Sequence, residues 1–98
     1  MNISISIPGR FGNELQWVAK AHEAARGQKF YGYVSVTINS YVKPNKRGEV
    51  VTNVFSDAKH IMNALQGILW EKGAHLYRVQ INKFSASTEC IEVHVEDI

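Results

Sequence analysis

The sequence predicts one α+β domain, a two-layer sandwich in which two helices cover one face of a mixed sheet. Apolar and polar residues alternate along several segments, as they do in half-buried strands. Two other segments repeat apolar residues at helical spacing. The chain has 98 residues, of which 45% are hydrophobic and 20% charged, as is typical of a single globular domain. We therefore treat residues 1–98 as one domain with the order β-α-β-(β)-α-β-β.

The chain begins with a predicted strand and a predicted helix. The isoleucines of residues 3–7 alternate with serines, and a Pro-Gly pair follows them. Asn13 then precedes the helical pattern, with Gln16 at the third helical position, which predicts an N-cap. Gly27 is well placed to end this helix.

The longest predicted strand runs from Phe30 to Val42, where apolar residues occupy even positions. Tyr31, Tyr33 and Tyr41 share the opposite parity. Three tyrosines on one strand face indicate a surface that a helix, a second subunit or a ligand covers.

A turn and a second helix are predicted next. Residues 43–48 contain the proline, asparagine and glycine that are typical of turns. Residues 50–55 fit either a short strand or an extended approach to the helix, and Ser56 is a suitable N-cap. Gly67 is expected to end the helix, which leaves residues 68–70 as an apolar plug under the sheet.

Two strands are predicted to complete the sheet. Apolar and polar residues alternate over residues 77–82 and again over residues 91–96. The Ser-Ala-Ser-Thr segment of residues 85–88 predicts a hairpin connection between them.

Location is predicted from what the sequence lacks. No apolar run is long enough to span a membrane, and residues 1–6 do not resemble a signal peptide. The single cysteine, Cys90, cannot form an internal disulfide. We therefore expect a cytoplasmic protein without membrane contact.

The sequence contains no complete catalytic site of a common type. His22 and Glu23 begin a zinc-protease pattern, but Arg26 stands where the second histidine is required. Cys90 has no basic neighbour that would activate its thiol. The histidines show no metal-ligand spacing; they are His22, His60, His75 and His94. No cofactor is expected on these grounds.

A basic loop is the clearest candidate binding feature. Lys43, Lys46 and Arg47 lie close together in a chain whose net charge is only +2, while acidic residues gather near the C-terminus. Such a cluster permits phosphate contacts, although basic residues in a turn are more often only solvated charges.

The second helix and the segment after it carry a family resemblance. Residues 59–65 read Lys-His-Ile-Met-Asn-Ala-Leu, and residues 66–76 read Gln-Gly-Ile-Leu-Trp-Glu-Lys-Gly-Ala-His-Leu. With the preceding basic loop, this pattern resembles the RusA-type Holliday-junction resolvases of bacteria and phages. The resemblance implies a homodimer that acts on four-way DNA junctions. The tyrosine-bearing face and the plug around Trp70 are candidate interfaces.

The chain departs from that family where the resolvases hold Mg²⁺ on aspartates. Asn53 and Phe55 occupy the first two aspartate positions, and Lys72 and Gly73 occupy the later pair. Only Lys59 matches the motif lysine. The resemblance therefore implies a catalytically degenerate protein with no intact catalytic or metal-binding set. It would bind branched or duplex DNA through four basic residues, namely Lys43, Lys46, Arg47 and Lys59.

Two other functions remain open. One is an active Mg²⁺-dependent junction endonuclease with a rearranged site made of Glu49, Asp57 and Glu71. The other is a protein-interaction or inhibitory subunit that does not bind DNA.

Overall fold

The computed structural model of the protein describes residues 1–71 and 76–97. It confirms the α+β class, with two helices against one four-stranded mixed sheet. None of the helices in the described residues is long and apolar enough to cross a membrane. The elements in chain order are β1 (Asn2–Pro8), α1 (Glu14–Ala25), β2 (Val34–Val42), α2 (Val54–Leu65), β3 (Leu76–Ser85) and β4 (Cys90–Asp97).

The sheet has the strand order β1-β4-β2-β3. β4 runs antiparallel to both β1 and β2, whereas β3 runs parallel to β2. Helix α2 therefore connects two neighbouring parallel strands. Helix α1 connects β1 to β2, which also run parallel but are separated by β4, so this unit is a split βαβ motif.

The predicted hairpin between β3 and β4 is wrong, because β2 lies between these two strands. The backbone N–H of Ala86 donates to the carbonyl of Val42 at 3.0 Å, and Cys90 then pairs with Tyr41. The connection therefore passes around the end of β2. Burial explains this choice: Ile91, with Val93 and Val95, is at most 3% exposed in β4, whereas β3 is largely exposed and suits an edge.

The core lies between the sheet and the helices. Trp17 of α1 and Ile61 of α2 are fully buried, and they meet the apolar side chains of β1, β2 and β4. Leu69 and Trp70 are 0% and 1% exposed, which confirms the predicted plug. The same burial corrects the idea that the plug is an interface surface, because Trp70 has almost no surface to offer.

The predicted N-cap of α1 is confirmed, since the Asn13 side chain accepts a hydrogen bond from the Gln16 backbone at 3.0 Å. The predicted cap of α2 is wrong by one turn. Asn53 is the cap and accepts from the backbone N–H of Ser56 at 3.3 Å. Asparagine and serine are both favoured as N-caps. Val54 is buried in the first turn of α2, so the helix begins there and Asn53 is the cap. Residues 50–53 form no strand.

The long strand also begins later than predicted. β2 starts at Val34, and Phe30 makes only an isolated bridge with Trp70. Tyr31 and Tyr33, which are 80% and 56% exposed, precede the strand. The tyrosine face is therefore reduced to Tyr41 within the sheet itself.

Replacing Ile61 by alanine should destabilise the domain by about 2–5 kcal/mol, since the change removes a fully buried side chain from α2. Leu15→Ala is the matched control, because Leu15 is 78% exposed on α1 and its loss should change the free energy of unfolding by less than about 0.5 kcal/mol. Urea unfolding followed by fluorescence of the two buried tryptophans measures both. Equal effects would contradict this description of the core.

Candidate nucleic-acid interface

The basic loop after β2 is a tight, hydrogen-bonded turn. The backbone N–H of Gly48 donates to the carbonyl of Asn45 at 2.9 Å, and the N–H of Asn45 donates to the carbonyl of Glu49 at 2.8 Å. The side-chain oxygen of Asn45 accepts from the backbone N–H groups of Arg47 and Glu49, each at 2.9 Å. Gly48 has φ of 78°, a conformation that glycine adopts without steric cost. The predicted turn is confirmed, and Asn45 fixes its shape.

This geometry puts Lys46 and Arg47 at the two central positions of the turn. Both residues are exposed, and neither side chain makes a hydrogen bond or an ion pair within the described part of the chain. Lys43 is also exposed and lies at the base of the loop, where its backbone N–H donates to Glu89 at 3.2 Å. The tip therefore presents two cations that no group in the described residues neutralises directly.

Arg10 and Glu89 anchor the base of the loop. The Arg10 guanidinium donates to the Glu89 carboxylate at 2.9 Å and to the carbonyl of Val51 at 3.0 Å. Burial alone would raise the pKa of Glu89, but the bonds from Arg10 and from the Lys43 backbone outweigh it and lower the pKa below its ordinary value. One ion pair thus joins the segment after β1, the loop after β2 and the segment before β4.

The start of α2 lies beside this loop. Asn53 caps the helix, so its side-chain oxygen already accepts a hydrogen bond. Phe55 is 73% exposed in the first turn, and Lys59 is exposed one turn later on the same face of the helix. The two positions at which the resolvases carry aspartates are therefore a helix cap and an exposed phenyl ring, and they offer no carboxylate.

A second polar pair lies near the same end of the helices. His60 and Glu14 approach within 2.9 Å and so link α2 to α1, and the ring of Phe11 stacks on His60 at 5.7 Å between centroids. Asp57, one turn before His60, is partly buried, and this burial raises its pKa against the lowering effect of His60 and Arg10. His60 therefore contacts Glu14, and Asp57 lies near both His60 and Arg10.

The three carboxylates of the nuclease hypothesis do not lie together. Glu49 closes the turn after β2 and Asp57 lies in the first turn of α2. Glu71 instead pairs with Lys29 at 2.8 Å, just before β2. β2 has nine residues and spans about 30 Å, so Glu71 lies at the opposite end of the domain. Among the described residues, no three histidine, cysteine, aspartate or glutamate side chains are close enough to hold a metal ion.

Three residues that the sequence analysis considered fall outside the described part of the chain. They are Lys72 and Gly73, at the later pair of family positions, and His75.

Arg10 and Glu89, which hold the base of the loop, were not predicted from the sequence. Neither residue belongs to a motif, and they lie 79 positions apart in the sequence. The sequence gives only one indication of their role, which is that each lies just outside a predicted strand. Loops that connect strands bring such residues together at one end of a sheet.

Comparison with known proteins adds no family assignment. No protein-family model matches this chain. No significant match is found among curated proteins.

Glu89→Gln should lower the free energy of unfolding at pH 7, because it removes the carboxylate that pairs with Arg10. A carboxyl whose pKa is lowered by folding stabilises the folded state above its unfolded pKa and loses that effect as the pH falls. The difference between variant and wild type should therefore close below about pH 4. Urea unfolding across this pH range measures it.

Glu23→Gln serves as the control, since Glu23 is an exposed helix residue whose contact with Lys20 is 3.9 Å. This variant should follow the wild type at each pH. A Glu89→Gln variant that did the same would show that the ion pair does not anchor the loop.

Proposed function

We propose that this domain binds the phosphate backbone of DNA through the turn of residues 45–48 and does not cut it. The observation that carries the proposal is the turn held by Asn45, which presents Lys46 and Arg47 without an ion-pair partner in residues 1–71 and 76–97. Lysine and arginine side chains in such positions replace the counterions that surround phosphates, and this release drives binding.

Neighbouring groups extend the same surface. Lys43 stands at the base of the loop, and Lys59 projects from α2. The first turn of α2 adds the positive end of a helix dipole, which favours anions. Contacts of this kind position a nucleic acid without reading its sequence.

The proposal that this domain does not cut DNA is supported by the ligands that a nuclease would need. Mg²⁺ at such a site is held by one or two carboxylates, together with waters and the substrate phosphate. Asn53 uses its oxygen as a cap, Phe55 has no ligand atom, and Glu71 lies about 30 Å from the loop end of β2. The described residues therefore do not fit the Mg²⁺ site that the endonuclease alternative requires.

We also propose that the chain is a degenerate relative of the RusA-type resolvases, a cytoplasmic protein with four-way junctions among its ligands. The order of elements, the basic loop and Lys59 support this relationship. The departures at Asn53 and Phe55 agree with retained binding and lost cleavage, because fewer carboxylates repel the DNA backbone less.

The homodimer is part of the same proposal, and the free edge of β3 is the surface that we assign to it. Leu76, Tyr77 and Val79 are each more than 40% exposed on this edge strand. Antiparallel pairing of two copies about Gln80 would place Val79 of each copy opposite Ile81 of the other, on one face of a continuous sheet. Exposed apolar edges of this length are prone to such pairing.

Val79→Lys tests this interface, since a charge on an edge strand opposes strand pairing. Light scattering after gel filtration should give twice the chain mass of 11.1 kDa for the wild type and the chain mass for the variant. Tyr31→Lys, at another exposed position outside the sheet, should leave the dimer intact. A Val79→Lys protein that stays dimeric would place the interface elsewhere.

Lys46→Ala/Arg47→Ala should weaken binding to both a four-way junction and a linear duplex by about tenfold, because two phosphate contacts are lost. The slope of log affinity against log salt should fall by about two. Fluorescence anisotropy with labelled DNA, in Mg²⁺ and in EDTA, measures affinity, and a gel of the same samples reports cleavage.

Lys20→Ala/Arg26→Ala removes the same charge from the far end of α1 and its C-cap, and it should bind like the wild type. Unchanged affinity in the loop variant would reject this surface. Mg²⁺-dependent cutting that Asp57→Ala abolishes would favour the endonuclease alternative, and no DNA binding at all would favour the interaction subunit.

A further inference from the structure

The face of the sheet that the helices leave uncovered carries an aromatic pair. Tyr41 of β2 lies directly opposite Phe84 of β3, and both point away from the buried side chains of Ile38 and Val42. Their rings are stacked, with 5.2 Å between centroids and 24° between planes. Phe84 keeps 42% of its surface exposed, so part of this aromatic pair is accessible to a ligand.

A row of amides continues from this pair along the same face. Asn82 pairs with Asn39 across the strands, and its side-chain NH₂ donates to the Asn39 oxygen at 2.9 Å. The Gln80 amide lies within 3.4 Å of Asn82. Amide groups can exchange such bonds for bonds to the edges of nucleobases, which present both donors and acceptors.

Positive charge lies at both ends of this row. Lys43 follows Tyr41 by two residues and leads into the turn that carries Lys46 and Arg47. At the other end Arg78 shares the open face, opposite Ser35, and is exposed. Arg78 and Phe84 are six residues apart along β3, a distance of about 20 Å.

Negative charge bounds the row on its other side. Glu92 and Glu96 of β4 point to the same open face, opposite Asn39 and Ser35 respectively. Their carboxylates repel phosphates and so favour a backbone that stays over β2 and β3. The Glu92 carboxylate acts on the Tyr41 hydroxyl and raises its pKa above the ordinary value.

We propose that the Tyr41–Phe84 pair is a stacking platform for an unpaired nucleobase, so that the ligand class of this domain is single-stranded or locally unpaired nucleic acid. The inference rests on the proposed function, since the loop of Lys46 and Arg47 supplies the adjoining phosphate contacts. Stacking on an aromatic ring requires a base that is free of its own duplex neighbours, which a continuous duplex does not offer. A junction, a flap or a single strand does.

A purely structural role for the same rings predicts different behaviour. Cross-strand aromatic pairs contribute to sheet stability whether or not a ligand binds. If stability were their only role, Phe84→Leu would alter unfolding and leave the affinity for single strands unchanged. Binding measured on a folded variant therefore separates the two roles.

The test compares a labelled single-stranded DNA of mixed sequence with its blunt duplex by fluorescence anisotropy. Wild-type protein should bind the single strand more tightly. Phe84→Leu, which keeps an apolar side chain beside Tyr41, should lose at least about fivefold affinity for the single strand. Its affinity for the duplex should change less. Phe84→Tyr keeps the ring and should remain near wild type.

Tyr31→Ala is the control for loss of an exposed aromatic side chain, because Tyr31 is 80% exposed before β2 begins. It should not change binding, and circular dichroism of each variant checks the fold. If Lys46→Ala/Arg47→Ala weakens binding while Phe84→Leu binds single strands like the wild type, the platform is rejected and the loop interface stands. If the wild type binds neither DNA, both are rejected.

Discussion

The burial of β2 is the constraint on which the rest of the structure depends. Val34, Val36 and Ile38 are at most 1% exposed, and the strand is paired along its whole length with β3 on one side and along most of it with β4 on the other. A strand this apolar is stable only at the centre of a sheet, under the helices. Its position obliges α1 and α2 to cross over the same face, and it leaves the polar face open.

The candidate interface is a consequence of where β2 ends. The loop of residues 43–49 leaves the sheet beside the segment after β1 and the segment before β4, and Arg10 with Glu89 holds all three. None of these groups belongs to the core cluster. Surface residues at this end of the domain can therefore change without loss of the fold.

The sequence by itself determined the features that depend on neighbouring residues. The cap at Asn13, the end of α2 before Gly67, and the turn of residues 43–48 follow from local hydrogen bonding and backbone freedom. Alternation also identified the buried sides of β1 and β4, because side chains of a strand alternate between its two faces. The apolar run of residues 68–70 also predicted the burial of Trp70 correctly.

Only the tertiary structure decided which strands pair and which of two local options is used. The Ser-Ala-Ser-Thr segment reverses the chain whether β3 and β4 pair directly or lie on opposite sides of β2. The greater burial of β4 places it between β1 and β2 and leaves β3 at the edge of the sheet. Asn53 and Ser56 are both suitable caps, and packing of Val54 selected Asn53. The contacts between Arg10 and Glu89 and between Tyr41 and Phe84 depend on the strand order. Contacts between residues distant in sequence depend on which strands become neighbours, and a local pattern does not specify that order.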